Sequence, residues 1–571
     1  MRHLRVAISN PSVWVQEGET TWLVTSSHRN DVTRLSRVSA ASPEQWARAT
    51  ADLVNDGVVV RIERDSQGAP VSLHAFRGVT TSDEVFFAQG TDGSLVLTDH
   101  ARNAITIAGL REASDEGLLD CLLFRTVPGT SSPVQALQRL GHGEAMDWSQ
   151  DGIRRWLVQV LEPAPGDDLT VDSLAHLLGA AVEPLVGRRE LVNMLSGGVD
   201  STLLQTYFGP RTVSMSVALD SPEFEFEVAY ARRASELLAA RHHVVPLAEE
   251  AYAPALEAAT DASGLPMNHP QSVLMDTAFR QPQYREYVSG QFADAVFGTS
   301  AAARASVAWR YRRWLKLPGL CRALTAVRRA DGRRCRDLVR SAARLKRPLD
   351  HPEGFAMQFA TYTDLAILRR CFPAEAIERR LRARFDYAMC RVPHVHTGRS
   401  SVGTHLEAGH WIDFFCDDTV SHWRQLAHAS GKLLHSPFTD SRLVRGALTV
   451  PSPDRYVSGR RAKHFLKDLL ASRLPTYDVD QRKGGSNLPF MRLLESGRLR
   501  ELADDVAEVS PETARVAAAV KAYHRPSQLT WNLLAYGVWY QRMLMRQRVE
   551  LLPGTRVLSW HAANATPPAG P

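Results

Sequence analysis

The sequence contains few cysteines and no long apolar run, and each shortage limits what the chain can be. The cysteines are scattered without a C-x-x-C pair, at Cys121, Cys321, Cys335, Cys371, Cys390 and Cys416. That spacing argues against a zinc site and a disulfide framework, so we expect buried small side chains or free thiols. No apolar run approaches the roughly 18–20 residues that span a bilayer, and the first residues lack the pattern of a secretory signal. We therefore expect no transmembrane segment and a cytoplasmic location.

One loop of the sequence has the composition of a phosphate-binding site but lacks the Walker A pattern G-x-x-x-x-G-K-[ST]. That loop lies in residues 191–205, LVNMLSGGVDSTLLQ, between an apolar strand and the start of a helix. Gly197 and Gly198 let the backbone turn sharply and approach a ligand, and the N-terminus of the following helix attracts anions. Ser196 and Ser201 add hydroxyl donors, and Asp200 can hold a Mg²⁺ ion that bridges phosphates. The pattern predicts a site for the phosphates of a nucleotide.

A chain of 571 residues is too long for one core and predicts two or three domains. Residues 1–165 are β-rich, with a hairpin signal at Thr91-Asp92-Gly93-Ser94, and end at the linker LEPAPGDD. Residues 166–555 begin with strands that alternate with helices, which predicts a doubly wound parallel sheet with ligands at the carboxyl ends of its strands. The pattern is mostly helical after about residue 300, and residues 556–571 are expected to be a disordered tail.

The net charge of +6 is concentrated in one segment. Between Arg304 and Arg347 arginine and lysine dominate, and Asp331 and Asp337 are the acidic residues there. The segment is interpreted either as an amphipathic insert that meets an acidic peptide, partner protein, nucleic acid or membrane surface, or as a solvated helical hairpin with local ion pairs.

Several segments, in order, resemble the asparagine synthetase superfamily. S-G-G-V-D-S at 196–201 resembles the pyrophosphate loop of N-type ATP pyrophosphatases, which split ATP into AMP and pyrophosphate. Further matches are SGQFADAVFG at 289–298, LLHSPFTDSRLV at 433–444 and AKHFLKDLLASRLPTYDVDQRKGG at 462–485. Residues 85–105 and 118–146 resemble the end of a class II glutaminase domain. The resemblance covers roughly residues 1–550. It implies an α/β fold with an N-terminal glutaminase-like, Ntn-type β-sandwich, followed by a doubly wound ATP-pyrophosphatase domain with a helical C-terminal part.

The resemblance also implies roles for individual residues, with ATP and Mg²⁺ as the cofactors. Asp200 and Asp294 match the family aspartates that hold Mg²⁺ against the phosphates. Lys483 matches the lysine that stabilises the transition states, and Lys463 and Lys467 are its nearby competitors. The positions expected to contact or border the nucleotide are Leu195, Ser196, Gly197, Gly198, Asp200, Ser201, Met215, Val217, Ser289 and Gly290.

The departures from the family pattern bear on the substrate. A class II glutaminase uses a cysteine exposed at position 2, whereas this sequence has Arg2 there and its first cysteine is Cys121. We therefore expect no ammonia release from glutamine and an amine supplied by the substrate itself. Gln291 and Ala295 replace two acidic signature residues, and Leu433 occupies the position of a third. The base that deprotonates the amine is not assigned, with Glu407 and His410 nearest to the expected region.

Family members with this loss include lasso peptide cyclases and β-lactam synthetases. Chain length and the basic segment favour the first, an AMP-forming ligase that adenylates an Asp or Glu side chain of a precursor peptide and joins it to the N-terminal amine. A leader-peptide protease and a leader-binding protein are its possible partners, and nucleic acid is not expected. The alternatives are a small-molecule amide ligase of the β-lactam synthetase type and a catalytically silent peptide-binding scaffold. A tRNA-modifying enzyme shares the loop, but the reactive cysteines and RNA-binding module it needs are not visible.

Overall fold

The computed structural model describes residues 3–16, 20–25, 32–37, 42–149, 151–299, 361, 363–395, 402–417, 419–459, 461–481, 490–495, 497–522 and 527–561. The basic segment 304–347 and Lys483 lie outside the described residues.

The strands of the described residues are β1 His3–Ile8, β2 Val13–Gln16, β3 Thr20–Thr25, β4 Val58–Arg64, β5 Pro70–Arg77, β6 Phe86–Gln89, β7 Leu95–Thr98, β8 Gln138–Arg139, β9 Glu144–Ser149, β10 Gly152–Leu157, β11 Leu191–Met194, β12 Val213–Leu219, β13 His242–Leu247, β14 Glu286–Val288, β15 Leu433–His435, β16 Val457–Ser458, β17 Arg461–Ala462 and β18 Arg556–His561.

The α-helices of the same residues are α1 Val32–Leu35, α2 Pro43–Leu53, α3 Ala101–Ala108, α4 Asp115–Phe124, α5 Val171–Val182, α6 Val199–Phe208, α7 Glu225–Leu237, α8 Tyr252–Ser263, α9 Pro270–Phe279, α10 Ala293–Phe297, α11 Leu365–Cys371, α12 Ala374–Met389, α13 Val402–Ile412, α14 Thr419–Ala429, α15 Ser441–Ala447, α16 His464–Arg473, α17 Phe490–Leu493, α18 Arg498–Asp505, α19 Pro511–Lys521 and α20 Gln528–Trp539. None of them is long and apolar enough to cross a membrane.

The N-terminal part is a sandwich of two sheets, with strand orders β18-β1-β7-β6-β8 and β10-β9-β5-β4-β3-β2. Alternation along the strands builds it, because successive side chains of a strand point to opposite faces. Val60 and Ile62 on β4 join the core between the sheets, whereas Val59 packs with Trp46 of α2 on the outer face. The hairpin predicted around residues 91–94 is confirmed as β6 and β7, which pair antiparallel.

The second part is built on a parallel sheet with strand order β13-β12-β11-β14-β15. The chain leaves β11 towards β12 and β13 on one side and later adds β14 and β15 on the other. The order therefore reverses between β11 and β14, and ligands of open α/β sheets bind where such a reversal occurs. The parallel sheet predicted from the alternating pattern is present, and its switch point lies between the loops after β11 and β14.

The prediction that residues 556–571 form a disordered tail is wrong for residues 556–561. These residues form β18, which pairs antiparallel with the whole of β1, from His3 opposite His561 to Ile8 opposite Arg556. Leu558 and Trp560 pack against the core of the sandwich, so the strand gains apolar burial as well as backbone hydrogen bonds.

The two parts share one continuous hydrophobic core across α3, α4, α14 and α20. The Gln425 amide of α14 donates to the carbonyl of Asp99 at 2.8 Å, and Asn532 of α20 donates to the carbonyl of Leu122 at 2.9 Å. The sandwich is thus anchored to helices of the second part.

Candidate functional site

The loop between β11 and α6 is closed by its own hydroxyl groups. The Ser196 N–H donates to Ser201 Oγ at 3.2 Å, and the Gly198 N–H donates to Ser196 Oγ at 3.3 Å. Gly197 has a φ of +69°, a left-handed conformation that glycine adopts without strain. The loop therefore turns tightly into the N-terminus of α6, as the spacing of its residues predicts.

Two side chains that the sequence did not single out hold this loop from outside. The Gln481 amide donates to the carbonyl of Gly197 at 2.6 Å, and the Tyr477 hydroxyl donates to the same carbonyl. Both residues follow α16, in the block that resembles the family's lysine segment. The sequence could have suggested these two residues only through their position in that block, because tyrosine and glutamine as residue types do not indicate a contact with the loop.

Gly197→Ala is expected to disrupt the loop, because a Cβ at this position would lie 2.5 Å from the carbonyl carbon of Tyr230 on α7. Either α7 or the loop must then shift, so we expect at least a tenfold loss of ATP affinity, measured by isothermal titration calorimetry. Gly187→Ala is the matched control: Gly187 also has a positive φ, +81°, but a Cβ added there would meet no described atom within 4 Å. If the two variants bound ATP equally well, the close contact between Gly197 and Tyr230 would not be needed for ATP binding.

The loop after β14 contacts the first loop directly. The Ser289 N–H donates to the carbonyl of His435 at 2.9 Å, which ties the loop to β15. A Cβ on Gly290 would lie 3.0 Å from the Cβ of Asp200 and 3.1 Å from the Ser201 nitrogen. Gly290 thus meets the first loop at the switch point of the sheet, and Ser289 precedes it.

Asp200 and Asp294 are brought together by a lysine. The Lys463 ammonium donates to Asp200 Oδ1 at 2.8 Å and Oδ2 at 2.6 Å and forms an ion pair with Asp294. The Lys463 side chain is only 10% exposed. Burial disfavours its charged form, but the two carboxylates outweigh burial and raise the pKa of Lys463 above its usual value. Lys463 is therefore an ammonium ion in this site.

The backbone around Lys463 explains how it reaches the carboxylates. Lys463 follows the β16–β17 hairpin and precedes α16, with a φ of +56°. Its N–H donates to the carbonyl of Tyr456 at 3.1 Å. Sequence reasoning preferred Lys483 over Lys463. Since Lys483 lies outside the described residues, its role stays a prediction. Lys463 is the lysine found at the two aspartates among the described residues.

The donor set fits a Mg²⁺ ion. Asp200 lies in the first turn of α6 and Asp294 in the first turn of α10, so each carboxylate follows directly after one of the two facing loops. Carboxylate oxygens are the ligands that Mg²⁺ prefers, with water and substrate phosphates completing its shell. The two aspartates already share one cationic group, the Lys463 ammonium, which shows that their spacing suits a common cation.

A buried polar cluster forms the wall next to Asp294. Arg455 is fully buried and donates to Glu407 Oε1 at 2.8 Å and to the Tyr456 hydroxyl at 2.7 Å. His410 stacks on Tyr456 with ring centroids 4.4 Å apart. Burial would raise the pKa of Glu407, but Arg455 and His394 bring it down to about 2. Burial lowers the pKa of His410 to about 4.

The pKa values of Glu407 and His410 bear on which group deprotonates the attacking amine. A general base works best with a pKa near the working pH, and Glu407 and His410 are both far more acidic than that. Glu407 is therefore a buried counter-ion of Arg455, and His410 is a neutral ring packed against Tyr456.

The positions expected to border a nucleotide differ in accessibility. The Met215 side chain is fully buried and that of Leu195 nearly so, whereas Val217 is half-buried. The Leu195 N–H donates to the carbonyl of Met215 at 2.7 Å, and its carbonyl accepts the Ser216 hydroxyl at 2.6 Å. Leu195 and Met215 thus support the loop from the core. Of these three, Val217 has the most accessible side chain.

Of the three substituted signature positions, Gln291 and Ala295 follow the end of β14, whereas Leu433 lies opposite Glu286 at its start. Ala295 is buried in α10 at 5% exposure, where an acidic side chain would be costly to desolvate. Gln291 follows Gly290 and its N–H donates to Ser289 Oγ at 3.3 Å. Leu433 begins β15.

Cys121, in α4, is buried, and burial raises the pKa of its thiol well above the usual value, so it is unsuited to act as a nucleophile.

The comparison with known families agrees with this arrangement. The family model described as asparagine synthase matches residues 173–543, which include the parallel sheet, both loops and Lys463. No curated protein matches the chain.

Proposed function

The chain belongs to the asparagine synthase family, and on that premise we propose that it is a peptide macrolactam cyclase of the lasso type. The family implies an ATP-dependent ligase that forms carbon–nitrogen bonds. The observation that supports adenylation most directly is the meeting of Asp200, Asp294 and Lys463 at the switch point of the sheet. In the proposed reaction a precursor peptide is adenylated on an Asp or Glu side chain and closed on its own N-terminal amine. We place the reaction in the cytoplasm.

In the first half-reaction, an oxygen of the side-chain carboxylate attacks the α-phosphorus of ATP. The new oxygen–phosphorus bond forms as the bond between the α-phosphorus and the oxygen that it shares with the β-phosphorus breaks. Pyrophosphate then leaves. The backbone of Gly197 and Gly198 and the N-terminus of α6 receive the pyrophosphate oxygens. Asp200 and Asp294 would hold Mg²⁺, which when bound neutralises charge on the phosphates.

In the second half-reaction, the N-terminal amine of the same peptide attacks the activated acyl carbon. The amide bond forms, AMP leaves with the bonding electrons of the acyl–oxygen bond, and the amine gives up a proton. The peptide is one water lighter at the end. Lys483, from its family match, is proposed to stabilise negative charge in both transition states.

The choice of a peptide as substrate rests on two features. The cysteine of the N-terminal sandwich, Cys121, is buried in a helix and not suited to release ammonia, so the amine is proposed to come from the substrate. The basic segment 304–347 provides positive charge for a large, acidic substrate. A leader-peptide protease and a leader-binding protein are the proposed partners, and we expect no nucleic acid among them.

The test measures AMP by mass spectrometry with Mg·ATP and a candidate core peptide. We expect AMP release together with a peptide lighter by one water. Two control peptides carry an acetylated N-terminus, or Asn or Gln in place of the acceptor acid. The first should release pyrophosphate without cyclising, because its acid is still adenylated but no amine displaces AMP, and the second should do neither.

Other outcomes separate the alternatives. AMP release with an amino diacid and none with peptides would favour the small-molecule ligase. Peptide binding without AMP from any carboxylate would favour the silent scaffold, which the Gln291 and Ala295 substitutions motivate.

A further inference from the structure

The Lys463 ammonium occupies the centre of the proposed metal site. It bonds both oxygens of Asp200, at 2.6 and 2.8 Å, and pairs with Asp294. The Asp200 side chain is 16% exposed and that of Asp294 48% exposed, so the ammonium, itself 10% exposed, lies on the inner side of the pair. Without a cation between them the two carboxylates would repel each other.

A Mg²⁺ ion and this ammonium cannot both keep the same contacts. Mg²⁺ needs carboxylate oxygens at about 2.0–2.1 Å in octahedral geometry, and an ion that bridges the two aspartates would lie where the ammonium now lies between them. Two cations next to one another also repel. A metal ion that enters alone must therefore displace the lysine from at least one aspartate, and this lowers its affinity.

The phosphates of a nucleotide offer the ammonium another partner. Asp200 lies in the first turn of α6, beside the loop of Ser196 to Gly198, where phosphate oxygens would lie. The Lys463 backbone is held by the Tyr456 carbonyl and by its place before α16, while the four-carbon stem of lysine can turn. Its ammonium can therefore move from the carboxylates to a nearby phosphate without a change in the backbone.

We propose that Lys463 is the resident cation of the Asp200–Asp294 pair and is handed over to the nucleotide's phosphates when Mg²⁺·ATP binds. The lysine keeps the carboxylates together before the metal arrives, and the nucleotide releases them for the metal. Metal binding then depends strongly on nucleotide. The inference rests on the proposed ATP and Mg²⁺ chemistry of this site, but not on the identity of the acceptor substrate.

The experiment measures protein-bound Mn²⁺ by equilibrium dialysis of the full chain, in the absence of α,β-methylene-ATP and with the nucleotide on both sides of the membrane, with Mn²⁺ counted by electron paramagnetic resonance. In the wild type we expect weak Mn²⁺ binding alone and a large gain with the nucleotide. In Lys463→Gln, Mn²⁺ alone should bind at least tenfold more tightly, and the gain with nucleotide should shrink at least tenfold, because the competing cation is gone. Lys463→Arg, which keeps the charge, should retain the weak binding of the metal alone.

Lys467→Gln is the matched control. Lys467 lies one turn further along α16, and its ammonium pairs with Asp480 at 2.6 Å instead of the two aspartates. It should bind Mn²⁺ as the wild type does. Circular dichroism checks the fold of each variant, and Lys463→Met replaces Lys463→Gln if the latter does not fold.

The proposal is overturned if Lys463→Gln and Lys463→Met bind Mn²⁺ alone no more tightly than the wild type, or if the gain with nucleotide is unchanged. No peptide is present in these measurements. A failure of the cyclase proposal would appear only in the AMP assay, and a failure of the handover only in Mn²⁺ binding.

Discussion

Asp200→Asn is expected to lower AMP formation at least about a thousandfold while the protein stays folded. The substitution keeps the shape of the side chain but removes one of the two charges that would hold Mg²⁺. Metal stabilisation of phosphoryl charge is worth several kcal/mol, and each 1.4 kcal/mol changes a rate tenfold. The measurement is the initial rate of AMP release with Mg·ATP and a peptide that supports the wild-type reaction.

Asp167→Asn is the control for Asp200→Asn. Asp167 is exposed in the linker before α5, so its replacement should leave the rate within about twofold. A rate within tenfold of the wild type for Asp200→Asn would show that this carboxylate does not hold the metal. The circular dichroism spectrum of each variant distinguishes a lost site from a lost fold.

Arg455→Met is expected to destabilise the protein by about 3–5 kcal/mol, which is the usual cost of stranding one charge of a buried pair. Arg455 is fully buried and makes four hydrogen bonds: to the carbonyls of Val296 and Val450, at 3.1 and 3.0 Å, and to Glu407 and Tyr456. Methionine fills part of the space but leaves Glu407 charged without its partner. Thermal unfolding followed by circular dichroism should show a large fall in the midpoint.

Two further variants test whether the stranded charge of Glu407 causes the loss of stability in Arg455→Met. Arg500→Met removes an exposed arginine that pairs with Asp504 within one helix, and such pairs contribute about 0–1 kcal/mol. Combining Arg455→Met with Glu407→Leu should recover stability, because no charge is then stranded. If the double variant is no more stable than Arg455→Met, lost packing and not the stranded charge explains the effect.

The pair of Arg455 and Glu407 also predicts how the stability of the protein depends on pH in acid. The folded pKa of Glu407 is about 2, below its ordinary value of 4.5. Its contribution to stability is therefore complete above about pH 4.5 and is lost as the pH falls towards 2. Between pH 5 and 3 the unfolding midpoint of Glu407→Gln should fall less steeply than that of the wild type. Parallel slopes would contradict the pairing.

Local patterns were sufficient to identify much of this fold. The strand, loop and helix of residues 191–208 and the β6–β7 hairpin follow from short-range periodicity, from glycines and from turn residues, and they lie where these predict. Asp200 and Asp294 came from motifs and do lie together. Lys463 could not be chosen over Lys483 on that basis, because both lie in the same matched block and their residue type is identical.

The sequence by itself determined strands β11, β12 and β13, the turn of residues 196–201 and the two candidate carboxylates, because each depends on residues close together in the chain. The tertiary structure decided that Lys463 pairs with Asp200, 263 positions away, because the left-handed turn at the end of the β16–β17 hairpin aims its side chain at the loop. It also decided that β18 returns to β1 and that Glu407 is the counter-ion of Arg455. Such contacts depend on where distant segments meet in the packed core, and no local pattern records that.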